Sequence, residues 1–297
     1  MSSSERARSR GKSVSRWQRP SLFLLAGCGL LLLGMLTGFY LFFPAEALKQ
    51  RITQEIMTRT GTKVQIRQVS LYPLLSLDAD QVTIDLPDLP HPLQIEQLSL
   101  SPLWSTVLSS NPGVQLQAEF MHGTLAGELL KSGMISAMAT GLSFDLPMQK
   151  PMALNITGTL NQANLDAATR LEPETKTVLS LQLSDVRVSG MDIFKTDTSG
   201  IDLGEVSLEV DGQGRAMKVK TLSAKGGDLD VSGEGTLLIG RTSASSRIKL
   251  ALQVRAGANA DPSIASMLEL AGKPGPDGRY SLNLGGTLAK PTIRTGG

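Results

Sequence analysis

Hydrophobic and polar positions along this chain follow three different regimes. From Ser21 to Phe43, 23 successive residues carry no charge. A helix of that length spans about 34 Å, enough for a hydrocarbon core of roughly 30 Å, so the pattern predicts a membrane-spanning helix over 21–43. Next, Leu48, Ile52 and Ile56 recur every four residues with Lys49, Arg51, Glu55 and Arg59 between them, and Thr60-Gly61 supplies a stop. This predicts one amphipathic helix over 44–61, either docked on the domain that follows or lying on a membrane surface.

From Thr62 the period changes to two, which sends successive side chains to opposite faces of a strand. Val64 and Ile66 alternate, then Val69 and Leu71, then Val82, Ile84 and Leu86, and the pattern is cleanest from Val206 to the end. About a dozen strands are expected, making 62–297 a mainly β domain. Asp211-Gly212, Gly226-Gly227-Asp228 and Asp277-Gly278 stand where hairpins should reverse. Between Ile66 and Val69, and again between Ile95 and Leu98, the apolar phase slips by one residue, as at a bulge, so the sheet should be curved and twisted. Two short capping helices are expected to interrupt it. Ser101-Pro102 is read as the start of one ahead of Leu103, Trp104, Val107 and Leu108, and Asp261-Pro262 as the start of another ahead of Ile264, Met267, Leu268 and Ala271. Gly-Thr-Leu recurs at 123, 158, 235 and 286 without a fixed period, which marks a strand environment used several times: a bend in the sheet, or room left for a ligand.

Charge sets the orientation of the apolar segment. Residues 1–20 hold six cations (Arg6, Arg8, Arg10, Lys12, Arg16, Arg19) against Glu5, a surplus of +5 in a chain of net charge +2, so the remainder carries −3. A basic tail stays on the cytoplasmic side, so everything after Pro44 should be translocated. Two other readings use the same residues. Leu25-Ala26-Gly27-Cys28 has the form of a lipoprotein box, but the apolar run before it is short; Ala45-Glu46-Ala47 has the form of a signal-peptidase site, but the segment is longer than a cleaved signal. An uncleaved anchor fits better, and Gly34 with Gly38 could let another helix approach it. The mildly acidic body offers no basic patch for nucleic acid.

Candidate chemistry is sparse. One cysteine and two histidines exclude a disulfide within the chain and leave few metal or acyl-transfer arrangements. Nucleophile-elbow, phosphate-loop and zinc-protease motifs are absent, and no cofactor is implied. Gly212-Gln213-Gly214 lacks the third glycine of a dinucleotide loop and is read as a hairpin turn. His91 and His122 have no companions at ligand spacing. Asp228 and Asp230 are read as two residues apart on one strand face, where solvation is the simpler explanation than acid–base work. The sequon Asn155-Ile156-Thr157 lies inside a strand pattern. What remains is apolar strand face, best marked by Leu229, Val231, Leu237, Ile239, Ile248, Leu250, Leu252 and Val254. Such a face has to be covered by a second sheet, a helix or an apolar ligand. With 12 aromatics to fill an interior, the domain is expected to be either a closed sandwich that binds proteins or an open groove for acyl chains.

The order of these features carries a resemblance. A basic tail, one anchor and an amphipathic helix, followed by Thr62-Lys63-Val64-Gln65-Ile66, Val69-Ser70-Leu71, Val82-Thr83-Ile84 and Gly123-Thr124-Leu125-Ala126-Gly127, resembles the N-terminal pattern of AsmA-like envelope proteins. The segments Gly190-Met191-Asp192, Leu203-Gly204-Glu205-Val206, Gly226-Gly227-Asp228-Leu229 and Asp277-Gly278-Arg279-Tyr280 through Gly286-Thr287-Leu288-Ala289-Lys290-Pro291 resemble the type II secretion system protein GspN family. The resemblance implies a Gram-negative inner-membrane protein with a periplasmic β domain, no catalytic residues, and other secretion-system subunits as partners. For the AsmA-like part it implies a curved groove for lipid. Two functions follow as expectations: an assembly or accessory factor acting through strand edges, and a lipid-binding or lipid-transfer protein of the AsmA-like or lipopolysaccharide-transport type.

Overall fold

The computed structural model describes residues 30–31, 34–35, 37–38, 44–72, 75–85, 92–148, 154–190, 200–240, 242, 244–258 and 260–295. It divides into two compact units, Met1–Pro44 and Ala45–Gly297. The expected span over 21–43 lies largely outside the described residues; Leu30, Leu31, Gly34, Met35, Thr37 and Gly38, which fall within it, are helical. Among the described residues no helix is long and apolar enough to cross a membrane. Cys28 and His91 also lie outside the described residues.

The second unit opens with helix α1 (Ala45–Thr60) and continues into one fourteen-stranded antiparallel sheet. Its strands are β1 (Lys63–Tyr72), β2 (Ser76–Asp85), β3 (Leu93–Pro102), β4 (Gly113–Phe120), β5 (Gly123–Leu130), β6 (Met134–Met148) and β7 (Leu154–Ala168). The second half comprises β8 (Lys176–Ser189), β9 (Ile201–Gln213), β10 (Ala216–Lys225), β11 (Leu229–Leu238), β12 (Arg247–Ala256), β13 (Tyr280–Thr287) and β14 (Lys290–Thr295). Every strand pairs with its predecessor and successor in sequence, so the sheet is a pure meander with two free edges, β1 and β14. The sandwich alternative is therefore corrected: all fourteen strands belong to one sheet, and among the described residues none is left to build an opposing layer. The strand tally also exceeds the expected dozen. Strand β6 had no clean signature because its inward positions include the small residues Ala137 and Ala139, whose weak hydropathy hides the alternation.

Helix α1 docks on β1. Leu48, Ile52 and Ile56 are half-buried while Gln50, Arg51, Gln54 and Glu55 are exposed, and Lys49 Nζ donates to the Arg67 carbonyl at 3.2 Å. This covers the first sheet edge, where unpaired backbone groups would otherwise invite another strand. The helix ends at Gly61, in the left-handed region at φ 71°, just before β1, so it runs back along the strand and its first residue lies toward the Tyr72 end.

Both expected phase slips occur. Between Ile66 and Val69, Arg67 stands opposite Gln81 and neither joins the β1–β2 ladder; Gln81 has φ 50° and accepts from Arg67 Nη1 at 2.6 Å. Since both strands slip together, their register is unchanged and the same face stays apolar. Between Ile95 and Gln97 the β3–β4 register shifts outright, and further shifts fall in β7, β8 and β10.

Three local expectations are corrected. Asp211-Gly212 is not a turn: both residues sit inside β9, paired with Lys218 and Met217, and the reversal comes at Gly214, φ 58°. Gly212-Gln213-Gly214 does lead into that hairpin. Ser101-Pro102 does not cap a helix. Both residues end β3, Pro102 opposite Val114, and the helix that follows, α2, is a single turn (Trp104–Val107) preceded by Leu103 with no side-chain cap. The fixed φ of proline suits a strand end as well as a first helical turn, and here the ladder claims it. Asp277-Gly278 does form a turn, but between helix α3 (Pro262–Ala271) and β13 rather than within a hairpin. Helix α3 itself starts as expected, with Asp261 as N-cap accepting from Ser263 N at 2.7 Å and Gly272 at its C-terminus.

Candidate binding face

Antiparallel pairing places directly opposed residues on the same face, so the register can be followed from strand to strand across the whole sheet. One row begins Leu71, Leu77, Leu100, Leu116, Gly127, Ala137 and Leu165. It continues Leu179, Val210, Val219, Gly235, Leu250, Leu284 and Ile293. Fourteen strands contribute fourteen apolar or glycine positions. The next row runs Val69, Ala79, Leu98, Ala118, Leu125, Ala139 and Ala163. It then passes through Leu181, Leu208, Leu222, Gly233, Leu252 and Leu282. At about 4.8 Å per strand spacing, these rows extend roughly 60 Å at right angles to the strands.

Side chains on this face reach low exposure without a covering sheet: Ala79 and Val82 at 3%, Met217 at 4%, Val219 at 6%. In a single layer this requires neighbours on the same face to crowd one another, so the sheet curls toward its apolar side. Helix α3 is the described element that packs on β12. The outward residues Arg247, Lys249, Ala251, Gln253 and Arg255 are all exposed, which puts the helix on the apolar face, with Ile264 and Leu268 at 5% and 4% exposure.

All eight sequence-designated groove residues fall on this face. Val231 opposes Val254, Leu237 opposes Ile248, and Leu250 and Leu252 oppose Gly235 and Gly233. Leu229 pairs with Ala256 at the end of β11, and Ile239 packs from just beyond the strand's other end against the cluster of Val210, Met217, Val219 and Leu250. One of these two glycines, Gly235, belongs to the Gly-Thr-Leu recurrence. At Gly233 the space of a Cβ is taken first by Leu252 Cδ2, and at Gly235 first by the Lys249 carbonyl oxygen and then by Leu250, so the glycines let β12 approach β11 closely. The continuity of the face through β4 to β8 was missed where Gly127, Ala137, Ala139 and Ala163 stand between the leucines, because alanine and glycine do not stand out by hydropathy; the one available signal was that they keep the spacing of two.

The opposite face is polar and paired across strands. Asp230 accepts from Arg255 Nε at 2.9 Å and Nη2 at 2.6 Å. Lys220 pairs with Asp211, whose hydrogen bond and charge raise the lysine pKa above its ordinary value. Asp228 is not on a strand beside Asp230. It sits in the bend before β11 and accepts from Asp202 N at 2.8 Å, a structural role that removes the paired-carboxylate arrangement. His122 is an exposed turn residue at φ 66°. Asn155 lies within β7, opposed by Pro147 and Ser189. Among the described residues no group of three or more His, Cys, Asp or Glu is placed to hold a metal ion.

The described residues of this unit therefore define a mainly β, open antiparallel meander with one continuous apolar face. The chain matches the family model of type II secretion system protein N over residues 89–283. That is about two thirds of its length, and the chain belongs to this family; it is a type II secretion system component. No curated protein and no solved structure matches it.

Proposed function

We propose that this protein is a non-enzymatic accessory or assembly factor of the secretion system, anchored in the inner membrane by residues 21–43 with its β domain in the periplasm. It acts by non-covalent holding on the apolar face of its sheet. One observation carries this: two rows of apolar positions continue from strand to strand with no opposing sheet among the described residues. Exposed strand edges remain a second means of partner contact, but α1 covers β1 and so directs edge pairing to β14.

The same rows favour a second reading, the handling of lipid. An acyl chain needs unbroken apolar contact in one direction and no hydrogen-bond partners, and a row crossing the strands offers that. The test is deletion of the gene and complementation with the chain carrying Leu125→Glu and Ala139→Glu, which put charge in the middle of one row. Loss of export with the other subunits intact supports the accessory role, and unchanged export of every substrate overturns it. Native mass spectrometry of the purified full chain separates the two readings. Lipid bound to the wild type and absent from the double variant supports lipid handling; a lipid-free wild type leaves protein holding alone.

A further inference from the structure

The strand ends that carry the β1–β2, β3–β4 and β5–β6 connections form one rim of the sheet, with Tyr72 opposite Ser76, Pro102 opposite Val114, and Gly113 opposite Leu130. Large apolar side chains crowd this rim and face water: Tyr72 is 49% exposed, Leu75 56%, Trp104 51% and Leu108 101%. Residues 71–76, 101–116 and 129–136 contain no aspartate or glutamate and one cation, Lys131. The β7–β8 connection, further along the same rim, is different in kind and carries the exposed Glu172 and Glu174.

These side chains are held outward by a built structure. Leu103 N donates to Gly113 O at 2.9 Å and Lys131 N donates to Pro112 O at 2.8 Å. Thr106 Oγ1 accepts from Gly113 N at 2.9 Å, and Asn111 accepts from Ser132 N at 2.8 Å while donating to the Ser132 hydroxyl at 3.2 Å. These loop polar groups are satisfied within the loops, while Trp104 is half exposed and Leu108 fully exposed among the described residues. Helix α1 also begins at this rim, because it runs back along β1 from Gly61, so the chain enters the β unit here, directly after the uncharged 21–43 segment.

We infer that this rim is a second membrane contact, in which Trp104, Leu108, Leu75 and Tyr72 seat in the headgroup layer of the bilayer that holds the anchor. Tryptophan and tyrosine have an apolar body with one polar tip and favour that layer, and the absence of carboxylates from these three connections removes local repulsion from anionic lipid. The contact would involve the N-terminal part of the rim, from the β1–β2 to the β5–β6 connection. The inference rests on the proposed anchor, and the experiment lets the two fail separately.

The full chain carrying Trp17→Phe, which leaves Trp104 as its one tryptophan, is reconstituted into phosphatidylethanolamine–phosphatidylglycerol vesicles with and without acyl-brominated lipid. The expected result is at least an approximately twofold loss of Trp104 emission in brominated vesicles, as for an interfacial indole. Adding Leu108→Asp, or separately Leu75→Asp, should reverse most of that loss while circular dichroism and Tm stay unchanged, since both residues are exposed. Emission quenched by aqueous acrylamide and untouched by bromolipid overturns the inference, as does quenching that neither variant reverses, or cross-linking of position 104 to a protein subunit in cells. If the anchor proposal itself fails, the chain no longer floats with the vesicles; if the rim inference alone fails, it floats with a water-exposed Trp104.

Discussion

The two ends of the sheet pack differently from its middle. At the C-terminal end Val210, Met217, Val219 and Leu250 form a cluster with nine partly buried neighbours. At the N-terminal end Val69, Ala79 and Val82 form a smaller one with six. Strands β4 to β8 contribute Ala118, Ala139 and Val186 to the buried set, each outside either cluster. The difference tracks side-chain volume at the sheet's middle: β5 and β6 place Gly127, Ala137 and Ala139 in the rows where the C-terminal cluster has Val210, Val219 and Leu250. Among the described residues, the two buried clusters of this sheet thus lie toward its ends.

The comparison can be broken by mutation. Leu250→Ala removes the buried leucine at the centre of the larger cluster and should destabilise by about 2–3 kcal/mol, read as a lowered midpoint in urea unfolding. In the smaller cluster, Val82→Ala should cost about 1 kcal/mol by the same assay. Ala137→Leu adds volume at a half-buried floor position and should change stability by no more than about 0.5 kcal/mol, since among the described residues no opposing sheet lies above to clash with. A penalty there as large as that at Leu250 would mean the centre is a closed core after all.

The smallest effect concerns the helix that closes one end. Hydrogen bonds from Ser263, side chain first and backbone second, hold the Asp261 carboxyl below its ordinary pKa. A depressed carboxyl contributes stability that is fully present above its unfolded pKa and lost as pH falls through the folded one. Amide exchange over 262–271 should therefore speed up below the ordinary carboxylate range in the wild type. Asp261→Asn, which caps without titrating, should not show that acceleration.

Much of the β architecture is visible in individual residues. The alternation of Val231 with Leu229, and of Ile248, Leu250, Leu252 and Val254, placed these side chains on one face, and the slips at Ile66/Val69 and Ile95/Leu98 marked real irregularities. Turn chemistry was less reliable. Asp211-Gly212 has the composition of a hairpin turn, yet Asp211 finds Lys220 and the strand continues for two more residues. Ser101-Pro102 has the composition of a helix start, yet pairing with β4 extends the strand through it. In each case a long-range ladder overrode a local preference worth about 1 kcal/mol.

Sequence by itself determined the mainly β character, the amphipathic α1 helix and which side chains share a face, because the period of two is a property of the backbone and needs no knowledge of neighbours. Only the tertiary structure decided that the strands form one layer instead of two, that the apolar positions line up across the meander, and that Trp104 and Leu108 stand uncovered at one rim. Those facts depend on which strand pairs with which and in what register, and hydrogen bonds between residues far apart in the chain leave no periodic trace in either partner.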